Sequence, residues 1–99
     1  MHIISKKALI EFWQKRSEAK EPLLAWYKIT KGSSWKSLAE VKKSFPHADL
    51  VGECTVFNIK GNDYRLISVI KYRTQRVYIL HVLTHAAYDK EKWKDDCNC

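Results

Sequence analysis

The sequence predicts an α+β domain in which helices from the first half pack on one face of a mostly antiparallel sheet. Apolar residues recur at helical spacing through residues 5–45, whereas residues 54–84 are rich in Val, Ile, Tyr and Phe, which favour strands. The chain has 99 residues, of which 45% are hydrophobic and 29% charged, the size and balance of one globular domain. We therefore expect a single domain over residues 1–99, with a short C-terminal helix.

The first helix is predicted to follow a short strand at residues 2–4. Ser5 is placed to cap it, because a serine hydroxyl can accept a hydrogen bond from the free amides of the first turn. The helix should run to about Glu18, because larger side chains recur at helical spacing along it. These residues are Leu9, Phe12, Trp13 and Arg16.

Two further helices are predicted before the strands begin. Pro22 suits a first helical turn, and Gly32 favours the end of that helix. Ser37 and Glu40 have the spacing of a capping box at the start of the third helix. Pro46 ends this helix, so the first half of the chain is predicted to be helical.

The second half predicts a meander of three antiparallel strands joined by short turns. The strands cover residues 54–59, 64–72 and 77–84. Gly61 and Asn62 both tolerate positive φ, which favours a tight hairpin between the first two strands. Residues 73–75 make the second reversal, and connections this short leave little topological freedom.

A final helix is predicted over residues 85–94, with Thr84 as its cap. Four side chains would then share one stripe of the helix: His85, Tyr88, Asp89 and Lys92. A neutral imidazole in the first turn, beside a bound phosphate, could act as a general base. The alternative is structural: a histidine that starts a helix, a half-buried tyrosine ring and a surface pair of Asp89 with Lys92.

Positive charge dominates the composition, with a formal net charge of +7 and a sequence pI of about 9.4. This surplus indicates a polyanionic partner, either nucleic acid or an anionic membrane surface. We find no apolar run long enough to span a membrane and no basic amphipathic helix to bind one. Direct DNA binding by this chain alone is not expected, because no helix combines base-reading side chains with a basic face. Residues 1–7 lack the apolar core of a signal peptide, so we expect a cytoplasmic location.

Basic side chains are concentrated along the predicted meander, where Asp63 is the acidic residue that faces them. They are Lys60, Arg65, Lys71, Arg73 and Arg76. Together with neighbouring tyrosines they offer phosphate neutralisation and ring faces for bases. The alternative is a solvated surface that discourages edge aggregation. Arg65 lies in mid-sheet, where it would either bind an anion or pair with Asp63 or a helix glutamate.

Three cysteines, Cys54, Cys97 and Cys99, are too few and too oddly placed for a disulfide framework. We expect Cys97 and Cys99 to be free thiols in a frayed C-terminal tail. A zinc site needs about four ligands at recognisable spacing. The sequence contains no such set, so metal binding is not expected.

The segments VFNIKGNDYRLI at residues 56–67 and THAAYDK at residues 84–90 resemble the HigB family of bacterial toxins. KALIEFW at residues 7–13 and LAWY at residues 24–27 match the same family, so the resemblance covers nearly the whole chain. It implies a RelE-like fold and a ribosome-dependent mRNA endonuclease that inhibits translation. It also implies a cognate antitoxin, expected to be a HigA-like helix-turn-helix protein.

The resemblance further implies a metal-independent, cofactor-free reaction in which the ribose 2′-OH attacks the adjacent phosphate and leaves a cyclic phosphate. Arg65 would bind the scissile phosphate, and His85 would act as base or acid. Tyr88 would stack on a base or donate a proton, and Lys92 is a further cationic candidate. Other cations would hold mRNA and ribosomal RNA: Lys60, Lys71, Arg73 and Arg76.

One position departs from the family pattern, because Ala87 stands where an acidic residue often precedes the tyrosine. A glutamate there would complete a capping box with Thr84, so we expect the departure to affect helix stability rather than cleavage. The alternative hypothesis is a catalytically weak RNA- or ribosome-binding module on the same fold. The presence of Arg65 and His85 favours the enzyme.

Overall fold

The computed structural model describes residues 1–98. The helices are α1 (Lys6–Lys15), α2 (Lys20–Lys31), α3 (Leu38–Ser44) and α4 (His85–Asp89). The strands are β1 (His2–Ile4), β2 (Asp49–Val51), β3 (Cys54–Ile59), β4 (Tyr64–Lys71) and β5 (Arg76–Thr84). Two 3-10 helices cover Ser17–Ala19 and Lys92–Cys97. None of the helices in this part of the chain is long and apolar enough to cross a membrane.

The strands form one mixed sheet in the order β1-β5-β4-β3-β2. The predicted meander is confirmed, because β3, β4 and β5 pair with antiparallel neighbours in chain order. β1 pairs parallel with β5, and β2, which the sequence analysis did not predict, pairs antiparallel with β3. The fold is therefore the expected α+β arrangement, with a short helix near the C-terminus.

The two faces of the sheet build separate hydrophobic cores, because successive strand residues point to opposite sides. The larger core lies between the sheet and α1–α3 and includes Trp26 and Phe57. Val56 and Ile67 belong to the smaller core, which Trp93 of the C-terminal 3-10 helix covers. The N-terminal helices and the C-terminal segment thus cover opposite faces of one sheet.

Helix α1 is shorter than the sequence predicts. It ends at Lys15 rather than near Glu18, because Arg16 leaves the helical region with φ −135° and ψ 83°. Ser5 occupies the N-cap position in an extended conformation, but its side chain makes no capping hydrogen bond. Arg16 is therefore exposed after the helix rather than part of the helical face that its spacing suggested.

The β3–β4 hairpin is tight, as predicted, but a different pair of residues makes the turn. Positive φ occurs at Lys60 (54°) and Gly61 (64°) rather than at Gly61 and Asn62. Asn62 instead accepts hydrogen bonds from Arg65 through its backbone oxygen and its side-chain oxygen. The turn therefore contributes directly to the surroundings of Arg65.

Helix α4 ends at Asp89, well short of the predicted end, because Glu91 takes a left-handed conformation with φ 61°. Thr84 is confirmed as its cap, since the hydroxyl accepts a hydrogen bond from the backbone N–H of Ala87 at 3.2 Å. The predicted stripe of side chains stops with the helix. Lys92 lies in the following 3-10 helix.

The expectation of a free thiol at Cys97 was wrong. Cys54 of β3 and Cys97 form a disulfide with their Cα atoms 5.2 Å apart, and both side chains are buried. Local spacing did not reveal this bond, because 43 residues separate the two positions and the fold brings them together. Cys97 is therefore fixed rather than frayed, and Cys99 lies outside the described residues.

Candidate active site

The candidate site lies at the end of the sheet where β5 leads into α4. Tyr64 and Arg65 at the start of β4 pair with Thr84 and Leu83 at the end of β5. Since α4 begins directly after Thr84, it brings His85 to the same end of the sheet as Arg65. Strand pairing thus brings together the segment around Arg65 and the segment around His85, which lie far apart in the sequence.

Arg65 is half-buried and bonded to neutral oxygens. Its Nη1 donates to the backbone oxygens of Asn62 and Tyr64, each at 3.1 Å, and its Nη2 donates to Asn62 Oδ1 at 3.2 Å. Among residues 1–98 it forms no ion pair with a carboxylate, since Asp63 pairs with Lys60 at 3.4 Å instead. Pairing of Arg65 with Asp63 or a helix glutamate was therefore the wrong interpretation. Its charge remains available to an anion.

The ring of Tyr88 packs against this guanidinium. The Arg65 Cζ lies 5.1 Å from the ring centroid, within the range of a cation–π contact. The same ring stacks on Trp93, with centroids 4.9 Å apart and ring planes 12° apart. Arg65 and Tyr88, two of the predicted catalytic residues, are thus in direct contact. The Tyr88 ring is also half-buried, as a purely structural role for this residue predicts.

His85 is exposed and paired with a carboxylate one turn later in α4. Its Nδ1 lies 3.0 Å from Asp89 Oδ2. Because Asp89 pairs with His85, the alternative in which Asp89 forms a surface pair with Lys92 was wrong. A carboxylate at Nδ1 favours the tautomer that carries the proton there and leaves the lone pair on Nε2. The imidazole is therefore oriented for proton transfer at Nε2.

An open pocket of about 560 Å³ lies beside His85. Its lining residues are Arg16, Asn62, Asp63, Tyr64, Thr84, His85 and Ala86. Arg16 adds a cation that the sequence analysis missed, because that residue was assigned to a helical face. The signal in the sequence was a basic residue at a position where the amphipathic pattern calls for an apolar one.

One wall of this pocket is fixed by a hydrogen bond that the Tyr64 hydroxyl donates to Glu18 Oε1. This bond lowers the pKa of Glu18 below its ordinary value of 4.5 and raises the pKa of Tyr64 above its ordinary value of 10.0. Glu18 therefore stays ionised and Tyr64 protonated across the neutral range. The bond joins the 3-10 turn after α1 to the start of β4.

Lys92 lies in different surroundings from the other predicted catalytic residues. It lines a groove of about 430 Å³ together with His81 and Trp93. The structure unites Arg65 with Tyr88 and brings His85 to the same end of the sheet, but Lys92 is not part of those contacts. Lys92 is separated from these residues because α4 ends at Asp89, before it reaches Lys92.

Two histidines are each paired with a single carboxylate, His85 with Asp89 and His81 Nε2 with Asp96 Oδ2 at 2.7 Å. Within residues 1–98, no group of three or more His, Cys, Asp or Glu side chains is arranged to hold a metal ion.

The four cations predicted to hold RNA are exposed, but they divide between the two ends of β4. Lys60 lies in the β3–β4 turn near Arg65. The other three lie at the far end of the strand: Lys71, Arg73 and Arg76. Eight residues of strand separate the two ends by roughly 25 Å. One phosphate cannot contact both ends, so together they suit an extended polyanion.

Comparison with known proteins identifies relatives over most of the chain. The HigB toxin family, described as the RelE-like toxic component of a toxin-antitoxin system, matches residues 19–91. The mRNA interferase toxin HigB of Escherichia coli strain K12 is 32% identical over 92 residues, which cover 90% of this chain and 88% of that protein. The mRNA interferases HigB of Escherichia coli O157:H7 and Shigella flexneri match to the same extent. The resemblance seen in the sequence motifs is thus confirmed, and the chain belongs to the HigB family of RelE-like toxins.

Proposed function

We propose that this chain is an mRNA interferase, the toxin of a toxin-antitoxin pair, and that it cuts mRNA on the ribosome. Its relatives bear the name mRNA interferase. The observation that carries the proposal is the guanidinium of Arg65, which has no carboxylate partner within residues 1–98 and contacts Tyr88 where α4 presents His85.

The proposed reaction uses the substrate's own ribose hydroxyl as nucleophile. The 2′-oxygen forms a bond to phosphorus and loses its proton to a base, while the bond to the 5′-oxygen breaks and that oxygen receives a proton. The products are a 2′,3′-cyclic phosphate and a 5′-hydroxyl end. The protein then needs to supply proton transfer and a positive charge for the phosphorane.

Arg65 supplies that charge in the proposal. A guanidinium can donate two parallel hydrogen bonds to phosphate oxygens, and partial burial strengthens each bond relative to bulk water. Its three bonds to Asn62 and Tyr64 hold it in place without neutralising it. Arg16, on the wall of the same pocket as His85, is a second cation for the incoming RNA.

His85 transfers the proton through Nε2, as base for the 2′-OH or as acid for the leaving oxygen. Asp89 accepts a hydrogen bond from Nδ1 and so orients the ring. Tyr88 donates a proton or a hydrogen bond through its hydroxyl, because its ring already stacks on Trp93 and faces the Arg65 guanidinium. Lys92 is assigned to contact with the RNA backbone, since it lies in a separate groove.

The partners follow from the same proposal. The far-end cations Lys71, Arg73 and Arg76 contact ribosomal RNA, and Lys60 contacts the mRNA beside the site. A HigA-like helix-turn-helix antitoxin binds the toxin and suppresses it, and both act in the cytoplasm, where translating ribosomes are found. The single-domain chain needs no metal or cofactor for this chemistry.

The test is cleavage mapping by primer extension on a defined mRNA in a purified translation system. We expect cuts that require ribosomes and that persist with a transition-metal chelator present, provided that Mg²⁺ is kept in excess for the ribosomes. Arg65→Ala should slow cleavage roughly 10²–10³-fold, as for loss of a donor to a developing oxyanion. His85→Ala should slow it roughly 10²–10⁴-fold through loss of general acid–base catalysis. Lys43→Ala, an exposed change on α3, is the matched control and should cut normally.

The alternative, a catalytically weak binding module, makes the opposite prediction in the same assay. A binding module would bind ribosomes without cutting mRNA. The wild type, Arg65→Ala and His85→Ala would then all give the same uncut mRNA. Cuts that disappear when a transition-metal chelator is added, with Mg²⁺ kept in excess for the ribosomes, would contradict the metal-independent mechanism while leaving the toxin assignment in place.

A further inference from the structure

The C-terminal 3-10 helix places a buried tryptophan directly against the candidate site. Trp93 is 4% exposed and stacks on the Tyr88 ring at a centroid distance of 4.9 Å. Its Nε1 also donates a hydrogen bond to the backbone oxygen of Tyr88 at 2.9 Å. Trp93 therefore contacts both the ring and the main chain of a residue that touches Arg65.

Helix α4 is too short to orient Tyr88 without outside support. It has five residues, and isolated helices of this length are not stable in water. Thr84 caps its start, whereas its C-terminal side passes directly into the turn that contains Glu91. The position of the Tyr88 ring therefore depends on what packs against it from the segment that follows.

That segment is anchored to the sheet at the Cys54–Cys97 disulfide. The backbone N–H of Glu53 donates to the Cys97 oxygen at 2.8 Å, and Asn98 Nδ2 donates to Glu53 Oε2 at 2.7 Å. Both sulfur-bearing side chains are buried in the same core as Trp93. The disulfide is the covalent part of this anchor, and the exposed hydrogen bond from Asn98 is a weaker support in water.

We propose that Trp93 is a positioning residue for Tyr88, and through it for Arg65, and that the Cys54–Cys97 disulfide holds Trp93 in place. The toxin's activity then depends on thiol redox state. A dithiol reductant transfers two electrons and two protons to the disulfide, which becomes two thiols while the reductant becomes a disulfide. The released segment loosens, and the Tyr88–Arg65 pair loses its fixed geometry. This inference rests on the proposed function.

The first test compares Trp93 variants by two readouts, the kinetics of mRNA cleavage and the NMR shifts of the Tyr88 ring protons. Trp93→Leu removes the stacked ring and should lower kcat by up to about 100-fold, with a smaller change in KM. The Tyr88 signals, assigned with Tyr88→Phe, should lose the ring-current shift that the stacked indole imposes. Trp93→Phe retains an aromatic ring that can stack on Tyr88. This variant should recover much of the wild-type kcat and much of the ring-current shift.

Val41→Ala is the control for stability alone. Val41 is fully buried in the larger core on the opposite face of the sheet, so its truncation lowers stability without touching Tyr88. Assayed well below its melting temperature, this variant should keep the wild-type kcat and Tyr88 shifts. A kcat loss equal to that of Trp93→Leu would reduce Trp93 to a general stability role and overturn the proposal.

The second test addresses the disulfide in a Cys99→Ser background, which leaves two cysteines in the chain. The oxidised protein should cleave faster than the protein treated with dithiothreitol, and Cys54→Ala with Cys97→Ala should match the reduced form whether or not reductant is present. Equal kcat and equal Tyr88 shifts in the two redox states would overturn the redox part. If the wild type cuts no mRNA, the proposed function fails. The NMR shifts of the Tyr88 ring protons would then still show whether Trp93 positions Tyr88.

Discussion

The hydrogen bond from Tyr64 to Glu18 makes stability depend on pH in a predictable direction. The pKa of Glu18 is lowered in the folded chain, so this carboxylate contributes stability above its ordinary pKa of 4.5. That contribution is lost as the pH falls from 4.5 through the lower folded value. Tyr64→Phe removes the donor and should lower the urea midpoint at neutral pH. The difference from wild type should shrink as the solution is acidified.

The control for this prediction is Tyr78→Phe. Tyr78 is half-buried in β5 and has no hydrogen bond to a carboxylate within residues 1–98. Its substitution should shift the urea midpoint by the same amount at neutral and acid pH. A Tyr64→Phe effect that does not depend on pH would show that packing, rather than the bond to Glu18, makes Tyr64 important.

At the scale of the element, the start of α4 is incompletely capped. Thr84 bonds the Ala87 N–H, but the first turn contains no acidic residue. Ala87→Glu should add a capping-box carboxylate and favourable charge at the helix start, worth about 0.5–1 kcal/mol. For a domain of this size, that gain corresponds to a melting temperature about 2–8 °C higher. Cleavage should change little.

The comparison variant is Ala86→Glu, which adds the same charge one residue earlier without the capping-box spacing. It should raise the melting temperature less than Ala87→Glu, measured by calorimetry under the same conditions. A large rise in mRNA cleavage by Ala87→Glu would instead mean that the missing carboxylate is catalytic, and would weaken the mechanism that relies on His85.

Local patterns in the sequence predicted where most elements begin, but contacts between distant residues decided where several of them end. Thr84 marks the start of α4 by its own chemistry. The end of that helix depends on Trp93 folding back onto Tyr88 and on the disulfide at Cys97, which no window of neighbouring residues contains. The strand β2 was missed for a related reason, since three residues at a sheet edge have too little pattern to recognise.

The candidate site shows the same division between what the sequence could and could not predict. Arg65 and His85 were identified by residue type and motif, and strand pairing brought them to one end of the sheet. Arg16 and Trp93 were not identified as site residues, because each reaches the site through tertiary packing. Lys92 was included on the assumption that one helix continued past Asp89.

At the scale of the whole molecule, the separation of cations along β4 predicts how binding responds to salt. Lys71, Arg73 and Arg76 lie at the end of the strand far from Arg65, so they suit sequence-independent contact with an RNA backbone. Replacing all three with alanine should weaken binding to a single-stranded RNA and reduce the slope of log K against log salt by about 2, near 0.7 for each lost contact. Filter binding over a range of salt concentrations measures this slope.

A variant with the same loss of charge elsewhere separates contact from net charge. Lys36, Lys42 and Lys43 are exposed in and just before α3, and their triple alanine variant should keep nearly the wild-type slope. Cleavage by the triple variant of Lys71, Arg73 and Arg76 should recover when RNA and ribosomes are raised to saturation, because these cations lie about 20 Å along β4 from Arg65. Equal slopes of log K against log salt for the two triple variants would mean that RNA binding depends only on the overall net charge of +7. A kcat that stays low at saturation would place the far end of β4 in the catalytic step itself.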